Sequence, residues 1–283
     1  MDRLKEKPYI GVTGITNATE ATAVTQTFVE EGLTDLQSKH RGMVGILVSE
    51  KSLNPHTKEK VKYPTLNQIQ QIFEITRGKA FNTLHYHTYQ ESHLAEQLKK
   101  LLDQFGFYSN QLCDGIQLNL RWPPVDEVEK TKAAFPDLRI ILQIGPKILG
   151  PEVLAEKSPQ EIISNLAPYV PLIDYALIDP SGGQGKVFQI NTIAPIHNRI
   201  KNIYPDLPLG FAGGFNTRNI RTRLWILAQT VGTIDFSIDA EGGLRTPSKH
   251  GRPTSLSINK TQGYTHKAAL FFRTKWKTSE SLT

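Results

Sequence analysis

The chain has 283 residues, 39% of them hydrophobic, one cysteine and a formal net charge of +6. That length buries a large core without help from disulfides, and the lone Cys113 excludes an internal disulfide or a thiolate metal cluster and fits a reducing compartment. No apolar run reaches membrane-spanning length and residues 1–7 lack the apolar stretch of a signal peptide, so a cytoplasmic protein with no membrane partner is expected.

Strand-like and helix-like segments alternate along the chain. A strand at 9–14 precedes a helix at 19–31, and a strand at 43–48 precedes a helix at 65–77, where Ile69, Ile72 and Phe73 recur at helical spacing before Gly78. A strand at 81–87 leads to a helix at 91–105 built on Leu94, Leu98, Leu101 and Leu102, and Gly106 ends it. The next pairs are 115–120 with 124–135, 139–144 with 159–166, 173–179 with 191–204, and 209–213 with 217–229. Pro124 and Pro159 suit first helical turns, where their missing N–H is not needed. An eighth strand at 233–238 and a last helix at 262–275 complete the series.

Eight such units imply parallel strands joined by crossovers and predict an α/β fold, a single (β/α)8 TIM barrel over residues 1–283. An open doubly wound sheet is the alternative, but Gly11-Val12-Thr13-Gly14 lacks the dinucleotide-binding glycine pattern. A long basic loop after strand 8, at 241–261, reads as a lid, and 276–283 as a flexible tail. Basicity is concentrated there: residues 245–283 carry eight Lys or Arg and one acidic residue. Such a segment reads first as a solvated C-terminal region, and second as one that draws in a small phosphorylated or anionic ligand; no RNA-binding motif or aromatic-basic repeat argues for nucleic acid. Monomer and homodimer are both open.

Alternation along strands selects the inward side chains. In the eighth run Asp235, Ser237 and Asp239 oppose Ile234, Phe236 and Ile238, and in the fourth Gln117 and Asn119 oppose Ile116 and Leu118. Polar inward positions near strand C-termini are thus Thr13, His85, His87, Asn119, Gln143, Asp179, Asp235 and Asp239. A barrel interior is ordinarily filled with branched apolar residues, so this set marks a site or a hydrogen-bonded polar plug.

Several segments, in order, resemble phosphoribosylanthranilate isomerase, a barrel enzyme of tryptophan biosynthesis. They are Tyr9-Ile10-Gly11-Val12-Thr13-Gly14-Ile15-Thr16, Gly115-Ile116-Gln117-Leu118-Asn119, Ile178-Asp179 with Gly182-Gly183-Gln184-Gly185-Lys186-Val187-Phe188, Phe211-Ala212-Gly213-Gly214-Phe215-Asn216, and Ile234-Asp235-Phe236-Ser237 with Glu241. The resemblance implies an intramolecular aldose–ketose (Amadori) isomerase that uses no cofactor or metal. It implies Asp179 as general base, Thr13 at the position of the family's catalytic cysteine and Asp235 as the eighth-strand aspartate. It also implies phosphate held at Gly183, Gly213, Gly214 and Ser237. Asn119, Gln143, His85 and Asp239 are then the expected substrate contacts. A threonine hydroxyl is too weak an acid to replace a thiol, so His85, His87 or Asp239 is expected to supply the proton. Two other readings remain: a metal-dependent enzyme in which His85 and His87, two apart on one strand face, are joined by Asp179 and Asp239; and a barrel without isomerase activity that binds a phosphorylated or anionic ligand.

Overall fold

The computed structural model of the chain describes residues 6–53, 62–145, 159–181, 187–247 and 253–280. Eight strands pair in parallel, each with the next, and close on themselves: β1 (Tyr9–Thr13), β2 (Arg41–Ser49), β3 (Phe81–His87), β4 (Gly115–Leu118), β5 (Arg139–Ile144), β6 (Tyr175–Ile178), β7 (Leu209–Ala212) and β8 (Ser237–Ala240). The seam aligns Ile10 with Ile238, Gly11 with Asp239 and Val12 with Ala240. A helix follows each strand: α1 (Ala18–Glu30), α2 (Leu66–Thr76), α3 (Leu94–Gln104), α4 (Val125–Ala134), α5 (Pro159–Leu166), α6 (Ile190–Ile203), α7 (Ile220–Val231) and α8 (Ile258–Glu280). The expected (β/α)8 barrel is therefore the fold.

Local chemistry sets the helix ends. Asn17 Oδ1 accepts from Glu20 N and starts α1, Thr65 and Gln68 form a reciprocal capping box at α2, and Gly232 at φ +73° stops α7. The outward strand residues and the apolar helix faces form one continuous sheath around the ring, with Phe28, Phe73, Phe107, Phe211 and Phe236 fully buried.

The barrel interior is layered. Its lower end is filled by Tyr9, Phe81 and Tyr175, whose rings lie 5.5–6.0 Å apart, with Met43, Ile141, Leu177 and Ala212 in the same buried cluster. Arg41 closes this plug from below, its guanidinium carbon 3.8 Å from the Phe81 ring centre and its Nη2 donating to the Tyr175 hydroxyl at 2.7 Å. The polar side chains lie in the layer above.

Three expectations change. The eighth strand begins at Ser237 rather than at 233, because Ile234 to Asp239 alternates without a break and the pattern cannot mark where the ladder starts; Asp235 N instead donates to Thr233 Oγ1 in the connection before β8. The segment at 241–261 is structured where it is described: a short 3-10 turn (Gly242–Leu244) and two antiparallel strands, β9 (Arg245–Pro247) and β10 (Pro253–Leu256), with residues 248–252 outside the described residues. It is anchored by Leu256 N donating to the buried Glu20 of α1 and Ser257 N donating to Leu244 O. Finally, α8 runs to Glu280, past the expected start of a tail at 276, and residues 281–283 lie outside the described residues. Basic side chains of this region bond within the chain: Lys260 to Arg245 O, Lys267 to Thr217 O, and Arg273 to Glu31. Among the described residues, no helix is long and apolar enough to cross a membrane.

The approach of α1 to β2 depends on Gly42. A Cβ added there would stand 2.3 Å from the buried Phe28 ring. Gly42→Ala is expected to lower unfolding stability by about 1–3 kcal/mol through overpacking, measured by denaturant titration; an unchanged midpoint would show that α1 is free to shift.

Candidate active site

At the C-terminal rim a small cavity of about 30 Å³ is lined by Thr13, His85, Gln117, Asn119, Asp179, Ser181, Asp239 and Glu241, with Gly213, Gly214 and Gly242 at its backbone edge. This is the end of a parallel barrel where the βα loops converge and chemistry is placed. Asp179 follows β6 directly and is buried. Its Oδ1 accepts from the hydroxyl of Ser181 at 2.7 Å and from Ser181 N at 3.1 Å, and its Oδ2 accepts from Gln143 Nε2 at 2.5 Å. Three donors converge on it, an arrangement that suits an ionised, acceptor-only carboxylate. Gly213, at φ +111°, brings the turn after β7 against it: a Cβ there would lie 3.2 Å from Asp179 Oδ1. Asp179 and the glycine turn thus face one space.

Asp239 is the inward aspartate of β8. Thr13 Oγ1 donates to its Oδ1 at 2.7 Å across the barrel seam. Burial pushes its carboxyl from 3.8 up to about 7; the Thr13 hydrogen bond opposes this, and the negative charges of Glu241 and Asp179 add to it. Glu241 pairs with the buried Arg245, whose guanidinium also donates to Gly14 O and covers the end of β1. His85 is buried on β3, and its ring is held neutral by desolvation, with its pKa lowered to about 3.

The structure brings together Thr13, His85, Asn119, Asp179, Asp239, Gly213 and Gly214, and Gln143 reaches the cavity through its bond to Asp179. It separates Asp235 and Ser237 from them. Ser237 is the first residue of β8, and its Oγ accepts from Tyr9 N at the start of β1. Asp235 lies still earlier; the next residue, Phe236, bonds through its carbonyl to His40, just before β2 begins. Both belong to the lower end, so Asp235 is not the strand-end aspartate and Ser237 does not reach the rim. Asp239 holds the position at which Asp235 was expected. Gly183 lies in 182–186, outside the described residues.

His87 Nδ1 bonds to Asn119 O at 2.9 Å, and the ring packs edge-on against Tyr89. Among the described residues, no three His, Cys, Asp or Glu side chains are grouped so as to hold a metal ion. Gln117, Ser181, Glu241 and Arg245 were missed as site residues. Alternation already marked Gln117 as inward, and Asp179-Pro180-Ser181 carries the turn chemistry in which an Asp side chain accepts from the backbone two residues on; no sequence signal singles out Arg245 within its basic segment.

A wider cleft of about 800 Å³ opens at the opposite end, between Lys7, Arg41, Phe81, Cys113, Asp114 and Arg139. Its arginines are committed, since Glu6 bridges Arg41 and Arg139 at 3.3 and 2.9 Å. Cys113 is buried there, its thiol donating to Gly115 O and pushed well above the usual thiol range by desolvation.

The raised Asp239 carboxyl has a consequence for stability. The folded state binds this proton more tightly than the unfolded chain, so stability declines as pH rises from about 4 through about 7. Asp239→Asn removes that dependence while keeping an acceptor for Thr13. Its melting temperature is expected to exceed that of the unsubstituted protein at high pH, with the gap closing toward pH 5; a gap independent of pH would contradict the assignment.

No family model matches the chain, and no curated protein matches it in sequence. Solved structures do match in fold. Phosphoribosyl anthranilate isomerase from Thermus thermophilus is 14% identical with a TM-score of 0.60, TrpF from Jonesia denitrificans 15% with 0.57, and phosphoribosyl anthranilate isomerase from Thermotoga maritima 16% with 0.57. Each comparison covers 93% of this chain and 98% of the other. The chain is thus similar in fold, over nearly its whole length, to these three proteins.

Proposed function

We propose that the protein is a diverged barrel of the phosphoribosylanthranilate isomerase type, catalysing the Amadori rearrangement of a phosphoribosyl amine. The observation that carries this reading is the pairing of two differently placed carboxyls at one cavity. Both are buried, but Asp179 accepts from Gln143 and from the amide and hydroxyl of Ser181, whereas desolvation raises the Asp239 carboxyl to about 7. Environments that separate two carboxyls in this way suit one for base and the other for acid work.

In this scheme Asp239 donates its proton to the ribosyl ring oxygen. The bond from that oxygen to C1 breaks, and the amine nitrogen supplies the electron pair that forms the iminium. Asp179 then removes the C2 proton, and the electrons released form the C1–C2 double bond of an enolamine. Return of that proton to C1, with loss of the C2 hydroxyl proton to the Asp239 carboxylate, gives the ketose. Thr13 positions Asp239 rather than transferring the proton, Gln143 and Ser181 orient Asp179, and Asn119 and His85 contact the substrate. The N–H groups of Gly213 and Gly214 face the phosphate, in the manner of glycine turns that bind anions.

Purified protein supplied with phosphoribosyl anthranilate is expected to form the ketose product, followed by its absorbance. Asp179→Asn should abolish turnover, and Asp239→Asn should lower it by about 10²–10⁴-fold. In the unsubstituted enzyme the rate should fall as pH rises through about 7, because Asp239 loses the proton it must donate, and this limb should vanish in Asp239→Asn. Absence of ketose, or turnover unaffected by Asp179→Asn, would remove the isomerase reading. The commitment of the Thr13 hydroxyl to Asp239, where the family has a cysteine, favours a second reading: a barrel that binds a phosphorylated ligand without converting it. Binding without turnover would select it.

A further inference from the structure

The floor of the rim cavity has a hydrogen-bonding polarity of its own. His85 on β3 and Gln117 on β4 are register partners in adjacent strands, both buried and both lining the cavity. Their remaining contacts fix which of their atoms are left without a partner. The Thr83 hydroxyl has two acceptors 3.1 Å away, Val44 O and Met43 Sδ, and gives its proton to one of them. Its oxygen, 3.1 Å from His85 Nε2, is then an acceptor, so Nε2 carries the ring proton and Nδ1 is a bare acceptor. Gln117 donates through Nε2 to Asn119 Oδ1 at 2.7 Å, which turns its carbonyl away from that bond. Among the described residues, His85 Nδ1 and Gln117 Oε1 are buried atoms with no hydrogen-bond partner. A buried polar atom left unpaired costs about 1–3 kcal/mol, so a partner that donates is strongly favoured there.

We propose that His85 Nδ1 and Gln117 Oε1 form a two-acceptor floor that binds hydroxyl groups of a polyol or sugar and selects against deoxy analogues. A cavity of about 30 Å³ holds a group or two the size of water, which suits hydroxyls at its floor. The ligand is thereby oriented with hydroxyls down and its anionic end at Gly213 and Gly214. This rests on the proposed function in taking the ligand to be a phosphorylated sugar, and it adds which face of that sugar is read and by which atoms.

The test is calorimetric titration with ribose 5-phosphate and 2-deoxyribose 5-phosphate, which needs no turnover. The protein is expected to prefer ribose 5-phosphate by about tenfold or more, as a site does when its buried acceptors lose a donor. Gln117→Met and His85→Leu, each confirmed as folded by circular dichroism, should reduce that preference to about threefold or less. Nitrogen-15 spectra of the unsubstituted protein give a readout independent of the variants. His85 Nδ1 should resonate as an unprotonated ring nitrogen and shift on addition of ribose 5-phosphate but not of inorganic phosphate. Equal affinity for the two sugars, no binding of ribose 5-phosphate, or a protonated Nδ1 would overturn the proposal. Equal affinity together with ketose formation from phosphoribosyl anthranilate would do so while leaving the isomerase reading intact.

Discussion

Closure of the ring between β1 and β8 is the constraint on which the site depends. Thr13 and Asp239 are 226 positions apart, yet parallel pairing of Gly11 with Asp239 leaves the Thr13 hydroxyl 2.7 Å from the carboxylate. A slip of one residue in this register would turn Asp239 toward the helices and Ile238 toward the cavity. The same ladder sets the heights of His85 and Gln117 and, through β5 and β6, of Gln143 and Asp179. The rim is therefore assembled by backbone pairing, and the glycines allow the close approaches: a Cβ at Gly45 would meet both Thr13 Oγ1 and His85 Nε2 within 2.6 Å.

The interior divides its two tasks by height. Tyr9, Phe81 and Tyr175 fill the lower end with large rings in contact, with the Arg41 guanidinium beneath them. This compact apolar plug stands in place of aliphatic layers and leaves the upper level for polar groups. Those groups carry the desolvation: His85 is kept neutral, and Asp239 holds its proton up to about 7. Natural proteins accept such local instability where reactive groups must be poised, with the surrounding packing offsetting it.

The barrel was legible because its pattern is redundant. The segments at 81–87 and 139–144 become β3 and β5 with the same ends, and the inward polar series from Thr13 to Asp239 follows from a two-residue period. Height along a strand was not legible where alternation runs on past the strand. Asp235, Ser237 and Asp239 share a face in the sequence, and only the pairing partners of β8 show that Ser237 meets the start of β1 while Asp239 meets its end. Ile234-Asp235 and Ile238-Asp239 are the same pair four residues apart, and the sequence does not tell which of them ends the strand; the pairing puts the second there. Arg245 was hidden for a different reason: its partners Glu241 and Gly14 come from a local turn and from the far end of the chain, and composition records only that the segment is basic.

The sole sulfhydryl, buried beneath β4 at the end remote from the rim and bonded to Gly115 O, bears on how this protein can be watched. A thiol kept protonated and only 4% exposed in the wall of the cleft at that end reacts slowly with an alkylating reagent while the barrel is intact. Its labelling rate therefore reports opening of the sheath around β3 to β5, and a second cysteine placed on the outer surface could be tagged selectively without removing the native one.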